Sequence, residues 1–247
     1  MLKKTSVIVV FLLSAMTPFF IQAKQAVGFK DSKQHYVYNI YYKNYFIGEI
    51  SRDISYYNNH ISITSHADLS FLSYDFFASQ DSQLYWSIPL QQVFVKKFNR
   101  VSDGFGISYI QADFFDDGHR TRLVNNGKES EYISEVGRIL DFNGLSLQLV
   151  EELKSGQVSF DYYMQTSKAI MHYFFAVKGQ EVIDSKFGKL TTLRVEQIKK
   201  NDRTLVAWFA PELNYQMVKF HYKRKLLDVS GVLSEYSVIP MGINPKP

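Results

Sequence analysis

From His60 to Phe71 the chain alternates. Ile61, Ile63, Ala67, Leu69 and Phe71 interleave with Ser62, Thr64, His66, Asp68 and Ser70. A period of two places every second side chain on the same face, so this segment predicts a strand with one face buried. Runs of the same kind predict strands at residues 36–42, 45–57, 60–73, 81–99, 105–115 and 119–125. Turn pairs separate them: Lys43-Asn44, Asn58-Asn59, Asp103-Gly104, Asp116-Asp117-Gly118 and Asn125-Asn126-Gly127. The order of strands and short turns is that of an antiparallel meander. The segment Tyr36-Val37-Tyr38-Asn39-Ile40-Tyr41-Tyr42 is apolar on both faces. Its second face therefore needs a cover, from a helix, a second sheet or a ligand.

One segment changes period. Leu145, Leu149, Val150 and Leu153 recur at helical spacing, Asp141 or Asn143 supplies a start and Gly156 a stop, which predicts an amphipathic helix over 143–154. Strands resume at 158–164, 169–177, 180–184, 189–200, 203–210, 215–222 and 227–236. The last stretch, 239–247, holds three prolines and reads as a loose tail. The fold class expected is mainly β: a curved, partly closed antiparallel sheet, half-barrel or barrel-like, with one inserted helix. The domain organisation expected is a segment 1–23, a single β-rich domain 24–239 and a tail 240–247.

Composition adds two points. Aromatic residues make up 16% of the 247 positions, with 20 Phe and 17 Tyr, and aromatic side chains favour strands. The first residues run from Lys3-Lys4 through an apolar stretch to Ala23, the order of a secretory signal peptide and shorter than a membrane-spanning helix. Export to the periplasm is the localisation expected. The chain has no cysteine, which leaves neither a disulfide framework nor a lipidated cysteine. Its formal net charge of +4 falls further without Lys3 and Lys4, so nothing points to nucleic acid.

Candidate chemistry is sparse. His35, His60, His66, His119, His172 and His221 stand far apart, without the close spacing of a helical zinc motif. Asp113-Phe114-Phe115-Asp116-Asp117-Gly118 lacks the alternating oxygen ligands of a calcium loop and reads as a turn. No Gly-x-Ser-x-Gly elbow occurs. Glu49, Asp53, Glu181 and Glu196 are the carboxylates from which a hydrolase pair would be drawn. Lys219, His221, Lys223, Arg224 and Lys225 alternate with Phe220 and Tyr222, the pattern of a solvated strand face ending in a charged hairpin or of a contact to lipid head groups.

Several blocks carry a resemblance. Leu140-Asp141 with Leu145-Ser146-Leu147-Gln148-Leu149 and Gly156 forms one, and Gly179-Gln180-Glu181, Phe187-Gly188-Lys189-Leu190 and Arg194-Val195-Glu196 form another. A third runs Trp208-Phe209-Ala210-Pro211-Glu212-Leu213-Asn214-Tyr215 with Val218. In this order they resemble the proteobacterial periplasmic proteins grouped as domain of unknown function 3108. Met217 stands where such sequences commonly carry proline. The resemblance implies an envelope location and a β-rich fold similar in outline to periplasmic lipoprotein carriers, and no reaction. Within the matched blocks Glu181, Gly188, Trp208 and Pro211 are candidate structural residues. Glu181 is expected to satisfy backbone donors near a turn, and Trp208, Phe209 and Pro211 to wedge a strand end into the core.

The leading functional expectation is a non-enzymatic protein that binds or carries a hydrophobic or lipid-like ligand in a sheet cavity. Tyr36, Tyr38, Tyr42 and Phe71 are its candidate lining, and Leu145, Leu149 and Leu153 its lid. A packed two-layer core is the competing reading of the same residues. The alternative function is a cell-envelope assembly or interaction factor with a protein partner, and a carboxylate-based hydrolase comes third. No cofactor or metal is implied. An integral outer-membrane barrel is disfavoured by charged strand positions such as Ser51-Arg52-Asp53-Ile54.

Overall fold

The computed structural model describes residues 29–104 and 106–241. The signal-peptide reading of Met1–Ala23 and the tail from residue 242 lie outside them. Fifteen strands form one sheet: β1 (Ser32–Tyr42), β2 (Tyr45–Tyr57), β3 (His60–Phe71), β4 (Tyr74–Ser87), β5 (Gln92–Asp103), β6 (Ser108–Phe115), β7 (Arg120–Asn125), β8 (Lys128–Ile133), β9 (Ile139–Leu140), β10 (Ser159–Gln165), β11 (Ile170–Ser185), β12 (Gly188–Ile198), β13 (Thr204–Ala210), β14 (Gln216–Arg224) and β15 (Leu227–Pro240). Helix α1 (Phe142–Lys154) lies between β9 and β10. The strand order is β8-β7-β6-β5-β4-β3-β2-β1-β15-β14-β13-β12-β11-β10-β9. Neighbours pair antiparallel except β9 with β10. The first and last strands of the meander, β1 and β15, meet at its centre, where Tyr36 faces Tyr236.

The expected class and helix are present, and several strand bounds differ, among them that of β4, which begins at Tyr74 and not at residue 81. Residues 81–99 are two strands, parted at 88–91 by a turn around Pro89 with Gln91 at φ 52°. The strands expected at 169–177 and 180–184 are one, β11, which passes the gap through a bulge between Val177 and Gly179. Edge strand β8, Lys-Glu-Ser-Glu-Tyr-Ile, carries its charges outward and was not legible by alternation. The last strand runs to Pro240, opposite Ser32, so Ile239 and Pro240 are paired rather than loose.

The sheet rolls up without closing through strand pairing. α1 packs against β4 and β5 on one side and β9 and β10 on the other. Side chains complete the seam: the Thr121 hydroxyl donates to Gln165 Oε1 (2.5 Å), Asn125 Nδ2 to the Ser167 carbonyl (3.2 Å) and the Tyr132 hydroxyl to the Lys168 carbonyl (3.0 Å). These contacts hold β7 and β8 against the turn between β10 and β11. One large apolar core, from Tyr36, Ile54, Ile63 and Leu84 to Leu153, Phe160 and Val218, spans both halves of the sheet. A smaller cluster, Phe98, Ile110, Ala112 and Leu123, lies under β5 to β7. Among the described residues no helix is long and apolar enough to cross a membrane.

Candidate functional site

Cross-strand partners share a face of the sheet, so the register sorts the inward side chains into layers. At the level of the helix, Ile54, Ile63, Ser82, Phe98, Ala112 and Leu123 form one row across β2 to β7, and all are buried. One step towards the 43–44 turn comes a polar row, Arg52, Ser65, Gln80 and Arg100. The next row is small and apolar, Ile50, Ala67 and Ala78, and the one beyond holds Leu69 and Phe76 opposite Gly48.

Burial falls along this face on several strands, whereas on the central strand β1 it persists through Tyr36, Tyr38 and Ile40 to the row of Gly48. On β3 Ile63 is fully buried, Ser65, Ala67 and Leu69 are half-buried, and Phe71 is 36% exposed. On β4 the series runs from buried Leu84, Ser82 and Gln80 through half-buried Ala78 to Phe76, 38% exposed. The opposite wall repeats it: Val218 is buried while Phe220 and Tyr222 are half-buried, and Phe209 is buried while Ala207 and Leu205 are half-buried. Phe175 likewise gives way to Tyr173 on β11. The inner face is therefore packed solid at one end and, on the strands flanking the buried Ile40, lined by incompletely covered apolar side chains at the other. The hairpin turns at 43–44, 72–73 and 225–226 rim the open end. They are tied together by Tyr42, whose ring lies 4.6 Å from that of Phe71 and whose hydroxyl donates to the Leu226 carbonyl (3.0 Å).

α1 forms the floor of this opening. Asp141 caps the helix, its Oδ1 accepting from the Gly144 amide at 2.7 Å. Its Oδ2 accepts from the Ser82 hydroxyl (2.5 Å) and Gln80 Nε2 (2.8 Å). Asn143 donates to Ser82 Oγ (2.9 Å), and its carbonyl accepts from Arg52 Nη2 at 3.3 Å. Gly144 fits here because a Cβ would lie 2.8 Å from Val95 Cγ2. Full burial raises the pKa of the Asp141 carboxyl, opposed by the Ser82 and Gly144 hydrogen bonds and by Arg100 and Arg52. Burial lowers that of the Arg100 guanidinium, which donates through Nε to Gln80 Oε1 at 2.8 Å. Among the described residues three buried side-chain nitrogens lack a hydrogen-bond partner, Arg52 Nε, Trp86 Nε1 and Gln197 Nε2.

The candidate lining divides along this gradient. Tyr36 and Tyr38 are buried in the core with Leu145, Leu149 and Leu153. The Tyr38 hydroxyl donates to the Met217 carbonyl (2.9 Å), and burial pushes its pKa up to about 12. Tyr42 and Phe71 stand at the rim. The helix is thus a floor and not the lid expected: its leucines fill the closed end, while the opening faces the hairpin turns. A separate cleft of about 260 Å³ lies outside α1, between Gln92, Arg138, Gln148, Glu152 and Tyr163. None of the candidate lining residues borders it. Sequence reasoning missed Arg52 and Arg100, although charges at inward positions of alternating strands were a legible signal.

Of the candidate structural residues, Glu181 and Trp208 meet, on the outer face. Trp208 Nε1 donates to Glu181 Oε2 at 2.7 Å, Arg194 pairs with Glu181 (3.3 Å) and Glu196 (2.5 Å), and Lys219 lies over the Trp208 ring. Glu181 thus accepts from an indole and not from turn amides. Phe209 is buried, whereas Trp208, its neighbour on the strand, faces the other way and is half-exposed. Pro211 opens the 3-10 turn Pro211–Leu213, and Gly188, at φ 100°, is the first residue of β12, paired with Ser185 across the hairpin. The basic run is tied to carboxylates: His221 hydrogen-bonds Asp228 (2.7 Å), Lys223 pairs with the same residue (3.4 Å), and Arg224 pairs with Asp202 (3.1 Å). Among the described residues no group of three or more His, Asp or Glu side chains is placed to hold a metal ion.

No family model matches the chain, and no curated protein matches it. Among solved structures it is similar to the β-barrel-like protein of domain of unknown function DUF1849 from Brucella abortus, with a TM-score of 0.57 over 86% of this chain and 100% of that one. Identity is 8%, so the likeness is one of fold and transfers no site residue.

Proposed function

We propose that this protein binds and carries an apolar, lipid-like chain in the open half of its rolled sheet, acting in the periplasm. The observation that supports the reading is the burial gradient: one continuous inner face, packed against α1 at one end, turns into half-covered apolar side chains on β3, β4, β11, β13 and β14 at the other, on either side of the buried Ile40 of β1. A concave apolar surface with a few polar groups at its base is the usual form of a small-molecule site. The cross-strand pair Ala67 and Ala78 places two small, half-buried side chains at mid-depth of this face. The periplasmic part rests on the signal-like order of Met1–Ala23, and the domain of unknown function 3108 resemblance agrees with it.

Organic extraction of the purified protein, followed by mass spectrometry, should recover a stoichiometric lipid. The delipidated protein should bind a neutral fluorescent apolar dye, and Ala67→Trp should weaken that binding about tenfold or more by occupying the lumen. A protein that releases no lipid and binds the dye no better than Ala67→Trp would refute the reading.

A further inference from the structure

We infer that the ligand is an anionic amphiphile whose acid group is held by Arg52 at the floor of the opening. The inference rests on the carrier reading and gives the ligand's chemical class. Arg52 sits at an inward position, opposite Tyr36 on β1 and Ser65 on β3. Its Nε is buried without a partner, and its Nη2 reaches only a backbone carbonyl, that of Asn143, at 3.3 Å. Arg100 occupies the same row and is satisfied by a neutral side chain, Gln80. Among the described residues neither arginine has a carboxylate within 4 Å.

Burying a guanidinium without a counter-charge is costly. Among the described residues the carboxylate bonded into this layer, Asp141, is engaged by Ser82, Gln80 and the Gly144 amide, and Glu151, which acts on Tyr56, is already paired with Lys154 at 2.7 Å. Two guanidinium groups against one carboxyl leave the floor with excess positive charge even when Asp141 is ionised. The hydroxyls around it belong to Tyr36, Tyr38 and Tyr56. Burial raises the pKa of all three, and the nearby Arg52 charge opposes that rise, so none of them supplies the missing anion at neutral pH.

Geometry gives the ligand its orientation. From Ser65 in the polar row to Phe71 at the rim is six residues of strand, about 20 Å. The inward positions along that path, Ala67 and Leu69, are apolar. An acid group on the Arg52 fork, which presents paired N–H donors to carboxylate or phosphate, therefore leaves a single acyl chain pointing towards the rim. A neutral chain of equal length fills the same space and leaves Arg52 unpaired.

The test compares three probes of equal chain length on the delipidated full-length mature protein by calorimetry: a fatty acid, a lysophosphatidylglycerol and the corresponding fatty alcohol. The proposal expects at least one acid to bind about tenfold or more tighter than the alcohol. Preference for the first or the second acid identifies the head group as carboxylate or phosphodiester. Arg52→Gln should bring that acid down to the affinity of the alcohol, and Ala67→Trp should weaken both. Equal binding of acids and alcohol by the wild-type protein overturns the Arg52 assignment and leaves the carrier reading standing. Failure of all three probes to bind overturns both. The wild-type comparison holds even where Arg52→Gln does not fold.

Discussion

Asp141 starts the helix, fixes Ser82 and Gln80 below it, and does so from full burial. In Asp141→Asn the side-chain amide presents a donor where Oδ2 now accepts two. The expected destabilisation is about 2 kcal/mol by urea unfolding. Burial raises the Asp141 pKa above its ordinary 3.8. Between that value and the raised one the folded protein retains a proton the unfolded chain has lost, and its contribution to stability falls as pH rises through that window. The gap between Asp141→Asn and wild type should therefore be widest in acid and narrow as pH increases. A gap that does not change with pH would show that the carboxyl binds its proton equally in the folded and unfolded chain, and a gap that widens as pH rises would show that it stays charged when folded. The sequence exposed Asp141 as a cap because a helix start needs an oxygen before its first apolar turn. It gave no sign of the Ser82 and Gln80 partners, which lie about sixty residues away and reach Asp141 only once the sheet has rolled.

At the scale of elements, the seam between β7 and the β10–β11 turn depends on side chains rather than on a strand ladder. Thr121 and Gln165 are both fully buried there. Thr121→Val keeps the shape and leaves Gln165 Oε1 without its donor, at an expected cost of about 1 to 3 kcal/mol. Hydrogen exchange should then quicken in β6 to β8 while β1 and β15, at the centre of the sheet, stay protected; uniform quickening would mean the seam is not a separate unit. Elements with strong alternation, such as β3, and the leucine-spaced helix were readable locally, since their burial repeats within a few residues. The Ile88-Pro89-Leu90-Gln91 turn was hidden by its apolar residues between Trp86 and Val93, and β11 looked broken because Gly179 resembles a turn where it in fact forms a bulge.

Across the whole molecule, stability should follow the burial gradient. Leu153, 1% exposed on the floor helix, should cost about 3 kcal/mol or more as Leu153→Ala. Leu72, 87% exposed at a rim turn, should change stability by no more than about 0.5 kcal/mol as Leu72→Ser. Thermal melts of the two variants test the contrast, and comparable losses would mean the rim is packed in solution. Alternation, turn pairs and helical spacing are local properties, and from them the sequence by itself determined a β meander with one helix near its middle. Which part of the apolar inner face is filled and which stays open was decided only by the tertiary structure. Burial at Ala67 or Tyr222 depends on what the roll of the sheet and the seating of α1 bring across the lumen, which alternation along a single strand does not contain.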